Sequence, residues 1–200
     1  MNTHASSPFL RRALAAFAAA CALALSSASA DESSAVLDTF DDAAAAPSGL
    51  PRTVITDAAT GGQSRLEQSY EGGVLSASGE IAPSRGQPGW VSMALLLTPD
   101  GSPKDLSQYQ GIRLKVRVKQ GMLAVSANSA EVDNFDYHSS LVPQKPGKEL
   151  QEVRIPFKSM KRAWSQQTPL NPATISSVSL TAVDMQKAPF AYEIDEIGFY

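Results

Sequence analysis

The chain is poor in the residues that carry most enzyme chemistry. It has one cysteine, Cys21, and two histidines, His4 and His138. Beyond Cys21 there is no disulfide and no thiolate metal site. No His-Glu-x-x-His, Gly-x-Ser-x-Gly or Cys-x-x-Cys occurs, which removes the usual signatures of zinc proteases, α/β-hydrolases and thiol oxidoreductases. Gly61-Gly62 is not followed by Lys-Ser/Thr, so the phosphate-loop reading fails and a tight turn accounts for both glycines. No cofactor, no metal, no internal repeat and no long helix is expected.

The first thirty residues read as a signal peptide. Arg11 and Arg12 supply the positive region, Ala13 to Leu25 is an apolar run of 13, and Ala28-Ser29-Ala30 offers small residues for cleavage. Thirteen residues fall short of the about 20 that span a bilayer, so no stable membrane insertion is expected after cleavage. Cys21 raises a lipoprotein alternative, but Ala18-Ala19-Ala20 lacks the large aliphatic residue of a lipobox. The paired arginines resemble a twin-arginine signal, but Leu10 stands where Ser or Thr is expected. The reading is ordinary export, to a bacterial periplasm. Residues 31–34 read as a tether and 35–200 as one domain, long enough for a real core. Loss of Arg11 and Arg12 leaves 15 basic residues against 20 acidic ones, a net charge of −5. That argues against nucleic-acid binding, which favours a basic domain.

What the domain does have is alternation. Ile112-Arg113-Leu114-Lys115-Val116-Arg117-Val118-Lys119 alternates apolar and basic without error, the signature of a strand with one dry and one wet face. Arg52–Thr56, Leu75–Ile81, Trp90–Leu97, Met122–Ala127, Gln151–Ile155, Val178–Ala182 and the closing Phe190–Phe199 read as further strands, with turns at Gly72-Gly73, Thr98–Gly101 and Lys145–Lys148. The apolar register jumps from Ile194 to Ile197, which predicts a bulge near Asp195-Glu196. Phe157–Trp164 has room for one helical turn, and Asn171-Pro172 resembles a helix start. Nine or ten strands without a long helix predict an all-β fold, a sandwich or jelly roll.

Several segments carry a resemblance. Thr56-Asp57-Ala58-Ala59-Thr60-Gly61-Gly62-Gln63-Ser64 resembles the Asp-x-x-Met-Gly-Gly-x-Ser segment of the complex I intermediate-associated protein 30 family. Phe40-Asp41-Asp42, Gly89-Trp90-Val91-Ser92, Asp105 to Leu114, Val153 to Phe157, Leu170-Asn171-Pro172 and Pro189 to Ile197 are similar to its other signals, in order. The resemblance implies a galactose-binding-domain-like jelly roll, akin to some carbohydrate-binding modules, without catalysis. It implies relatives that include assembly factors holding partly built respiratory complexes. Thr60 departs from the family's methionine, and the export signal separates the chain from a matrix protein.

Candidate sites follow. Asn134, Asp136 and His138 are read as one face of a strand over Phe135–Leu141, spaced to bind a polyol or a hard cation; Tyr137 lies on the other face. The alternative is a solvated outer face. Arg113, Lys115, Arg117 and Lys119 form a basic row that suits an anionic glycan or acidic partner, or that pairs across strands with Glu193, Asp195 or Glu152. Trp164 reads as an exposed stacking ring and Trp90 as core. Catalysis would need His138 and Asp136 to converge in a deep pocket. The expected function is a non-catalytic exported module that binds or assembles a protein partner. The alternative is a carbohydrate-binding module that reads a glycan on a concave sheet face.

Overall fold

The alternating segments become strands. The computed structural model describes residues 36–144 and 147–200, so the expected signal peptide with Cys21, the expected tether and Lys145-Pro146 lie outside the described residues. In chain order the strands are β1 (Val36–Asp38), β2 (Arg52–Thr56), β3 (Arg65–Glu71), β4 (Val74–Ile81), β5 (Gly89–Leu96), β6 (Gly111–Gln120), β7 (Leu123–Ser129), β8 (His138–Leu141), β9 (Gln151–Pro156), β10 (Ile175–Asp184) and β11 (Ala188–Phe199). A six-stranded sheet runs β3-β4-β11-β6-β9, with β1 also on β11; a five-stranded sheet runs β2-β5-β10-β7-β8. Every named pairing is antiparallel. Only β3–β4 and β7–β8 pair as neighbours in sequence; every other connection crosses between sheets. This is a jelly-roll sandwich.

The core lies between the sheets. From the six-stranded sheet come Leu75, Ile112, Leu114, Val116, Ile155, Phe190, Ile194 and Ile197; from the five-stranded sheet come Val91, Met93, Leu95, Leu123, Val125, Val178 and Leu180. Burying each of these stabilises the fold by roughly 1.5–3 kcal/mol before entropy is counted. The bulge in β11 is present: Ile194 pairs with Val116 and Glu196 with Lys115, leaving Asp195 as the extra residue. It returns Ile197 and Phe199 to the core side. Two of the 3-10 turns, Phe157–Ser159 and Pro172–Thr174, match the expected helical turns, and Asn171 caps the second through Ala173 N at 3.2 Å.

Two expectations change. β3 is an extra strand, hidden because Arg65–Glu71 is mostly polar; at the sheet edge only Leu66 and Tyr70 lean on the core. The Gly72-Gly73 turn that joins it to β4 has φ of 59° and 77°, the geometry of a tight hairpin turn that glycine accepts. The strand expected over Phe135–Leu141 begins only at His138. Phe135 has φ of 61°, which breaks the extended path, so Asn134, Asp136 and His138 do not share an outward face.

Candidate binding face

The two outer faces differ in kind. On the six-stranded sheet, Arg113 pairs with Glu196 at 2.5 Å and with Glu152 at 4.0 Å, Lys115 with Asp195, and Arg117 and Lys119 with Glu193. The basic row is therefore neutralised across strands, and Glu196 joins the expected acids. Burial pushes the Glu193 carboxyl up, but Lys119 and Arg117 outweigh it and hold the group below the ordinary range.

The five-stranded sheet presents the opposite surface. Its register sets the outward positions in rows. Trp90 of β5 lies opposite Val183 of β10. The next row reads Ile55, Ser92, Thr181, Ala124, Leu141, and the one after it Thr53, Ala94, Ser179, Ser126, Ser139. The last holds Leu96, Ser177 and Asn128. None of these outward positions carries a charge. Ser92 and Thr181 share a hydrogen bond of 2.9 Å, and Asn128 Nδ2 donates to Ser177 Oγ at 2.9 Å and Ser179 Oγ at 2.7 Å. Small polar side chains between larger neighbours form a recessed floor: Asn128, Ser177 and Ser179 are all buried. Trp90 belongs to this outer surface, not to the core, because the core positions of β5 are Val91, Met93 and Leu95.

An aromatic loop borders the floor at β8. Ser139 and Lys161 exchange backbone hydrogen bonds of 2.9 Å, which lays the 161–165 segment along the β8 edge. The Asp136 carboxylate accepts the N–H groups of Ala163 at 2.7 Å, Trp164 at 3.0 Å and Ser165 at 2.6 Å. Asn134 donates to Ser165 Oγ, and Arg162 reaches Asn134 Oδ1 and the Asp136 carbonyl. His138 Nε2 lies 2.7 Å from the Thr168 carbonyl, so that nitrogen carries the proton and donates. The Asn134-to-His138 cluster thus fastens a loop. Asp136 and His138 are each 2% exposed and do not reach solvent as a polar row. What the loop presents is aromatic: Trp164 is 70% exposed, Phe135 is 79% exposed, and Phe135 meets half-buried Tyr137 edge-on at 6.4 Å. Local alternation puts Phe135 on a strand, and the positive φ that breaks the strand there leaves no mark in that pattern.

The Asp57-to-Ser64 motif is structural. Asp57, 1% exposed, accepts Ser64 N, Ser64 Oγ and Trp90 N at 3.1, 2.6 and 3.2 Å. A Cβ on Gly62 would come within 2.1 Å of the Asp57 Cγ, so the second glycine makes room for the carboxylate. Gly61 ends the short 3-10 turn with φ of 82°. The knot also ties down the start of β5 at Trp90.

A cleft of about 780 Å³ is lined by Tyr109, Phe157, Met160, Lys161, Pro169 and Leu170 among others. Neither Asp136 nor His138 lines it. Among the described residues no His, Cys, Asp and Glu cluster could hold a metal ion, and no helix is long and apolar enough to cross a membrane.

A family model described as Complex I intermediate-associated protein 30 matches residues 44–194. A search of curated protein sequences returns no match. Among solved structures the chain is similar to the family 11 carbohydrate-binding module of the cellulosomal cellulase Lic26A-Cel5E of Clostridium thermocellum, at 16% identity over 82% of this chain and 92% of that one, with a TM-score of 0.55. It is similar to the family 11 module from Clostridium thermocellum in complex with a β-1,3-1,4-mixed-linked tetrasaccharide, at 17% identity over 82% and 94%, TM-score 0.55. It also matches 24% of the agarase AgWH50C, at 13% identity over 82% of this chain, TM-score 0.51. At these identities the likeness shows the fold, a galactose-binding-domain-like jelly roll.

Proposed function

The chain belongs to the complex I intermediate-associated protein 30 family, and from that premise we propose that it is a non-catalytic module that binds a glycan across the outer face of its five-stranded sheet. One observation carries the reading: an uncharged floor of hydroxyl and amide groups lies beside a fastened aromatic loop. Flat rings with apolar faces suit pyranose rings, and fixed donors and acceptors suit their hydroxyls. The structural neighbours that are carbohydrate-binding modules, one holding a tetrasaccharide, support the same reading. The non-catalytic part rests on Asp136 and His138, the only acid–base pair singled out. The Asp136 carboxylate is spent on three backbone N–H groups. His138 donates Nε2–H to the Thr168 carbonyl while its Nδ1 is buried without a partner among the described residues, and both side chains are closed off from solvent. Export rests on residues 11–30; N-terminal sequencing of the secreted protein would begin at Asp31.

The second reading, a protein partner, is favoured by exposed apolar side chains along the same sheet, Ile55 at 49% and Leu141 at 56%. A glycan array with the purified protein and its Trp164→Ala variant separates the two. Specific binding that the variant loses supports the glycan. Silence across neutral and acidic glycans overturns it and leaves the protein partner.

A further inference from the structure

Resting on the glycan reading, we propose that this face takes a neutral glycan and that Asn128, with Ser177 and Ser179, is the polar anchor that orients it. The first half follows from charge. The outward positions of β2, β5, β7, β8 and β10 offer Ser, Thr, Asn, Ala and larger apolar side chains and no cation. A uronate, sulfate or phosphate laid on this floor would lose water without gaining a counter-charge, which is costly for a charge. The cations of the basic row belong to the other sheet and are spent on Glu193, Asp195 and Glu196. Arg162, at the aromatic border, is committed to Asn134 and to the Asp136 carbonyl. Lys161 alone stands exposed there.

The second half follows from an unfilled valence. Asn128 is 6% exposed, and its Oδ1 has no hydrogen-bond partner among the described residues. Buried polar atoms are almost always paired, so an orphan acceptor in a recess calls for a partner. The amide spends both of its hydrogens on Ser177 and Ser179. Each serine oxygen therefore accepts, and its own hydrogen is left to point elsewhere. The amide nitrogen lies between the two serine oxygens, and Oδ1, at the other end of the amide, is closed off from solvent. Sugar hydroxyls both donate and accept, so a pyranose edge can take the two serine hydroxyl hydrogens and can donate to Oδ1 once the side chains that cover it move aside. A flipped amide would reverse the donor and acceptor roles and still leave one end of Asn128 unpaired. The register that pairs Ala127 with His138, carried one residue on, sets Tyr137 opposite Asn128. A sugar on the anchor would thus sit next to the aromatic loop.

The test uses the purified protein and isothermal titration. The probes are a neutral panel (mixed-linkage β-glucan, galactan and agaro-oligosaccharides) and an acidic panel (oligogalacturonate and carrageenan oligosaccharides). Binding is expected in the neutral panel only. Asn128→Ala should weaken it at least about tenfold, equivalent to about 1.4 kcal/mol. If Asn128→Ala melts too low to assay, the Ser177→Ala/Ser179→Ala double variant takes its place, with the same loss expected. Neutral binding that stays within about twofold in the folded anchor variant, where 0.4 kcal/mol would be lost at most, overturns the anchor while the glycan reading stands. Acidic probes that bind as tightly as neutral ones overturn the neutral assignment, again leaving the glycan reading intact. Silence from both panels removes the glycan reading itself.

Discussion

Asp136 holds Trp164 from beneath: one carboxylate oxygen accepts the Trp164 N–H at 3.0 Å while the ring stands 70% exposed above it. The same carboxylate takes the N–H groups of Ala163 and Ser165. Three convergent donors demand an acceptor on both oxygens. Asp136→Asn turns one oxygen into an NH₂ group that faces N–H groups. It should therefore cost nearly as much as Asp136→Ala, about 2–4 kcal/mol. The loop should loosen and glycan affinity should fall although Asp136 touches no ligand. Urea denaturation and titration on both variants check this; an Asp136→Asn protein as stable as the parent would contradict it.

The depressed Glu193 carboxyl makes a pH prediction. Its folded value lies below the ordinary one because Lys119 and Arg117 outweigh the burial that pushes it up. A lowered carboxyl contributes stability that is present above the unfolded value, about 4.3, and is lost as pH falls through the folded value. Glu193→Gln should thus lower stability by about 1 kcal/mol at pH 7. The difference should hold down to about pH 5 and close as pH falls through the folded value. It should also shrink in molar salt, which screens the partly open pairs. Melting curves across pH test it, and a gap that widens in acid would reverse the assignment.

Gly62 and Asp57 should behave as one unit. Alanine at 62 meets a carboxylate fixed by Ser64 and Trp90, so it should cost about 3 kcal/mol. Asp57→Ala orphans the same donors and should cost a similar amount. Because both break one knot, the double variant should lose clearly less than the sum. Denaturation midpoints for the four proteins give the coupling directly; strict additivity would mean that the two do not share a strain.

The sequence made the core legible where burial is one-sided. The alternation of β6, and of Val178, Leu180 and Ala182 in β10, names the inward residues because each strand has one dry face. The Ile194-to-Ile197 step reveals a bulge because only an extra residue restores the phase. The binding face was less legible. Ser177, Ser179 and Thr181 alternate visibly, but Ser92, Ser126 and Asn128 join them only through the register of three strands. Trp90 reads as core from its apolar neighbours, yet the same register turns it outward. Local alternation places Asp136 on a strand. The three amides it binds lie 27, 28 and 29 residues further on, beyond the reach of any local pattern.

Phe135 combines strain with exposure. A phenylalanine at φ of 61° occupies a region that Cβ makes costly, and its ring is 79% exposed, so burial does not repay that cost. Glycine adopts this conformation freely, although it loses more entropy on folding. Phe135→Gly should therefore raise stability by about 0.5–1 kcal/mol. The same change removes one ring of the aromatic loop and the edge contact with Tyr137. Losing one stacking surface is worth about 0.5–1.5 kcal/mol, so glycan affinity should drop by roughly two- to tenfold. A variant that is more stable and binds less would mark the strain as maintained for binding. Melting temperature and titration on one preparation decide it. If Phe135→Gly is stabilised and binds unchanged, Trp164 and Tyr137 carry the platform without Phe135.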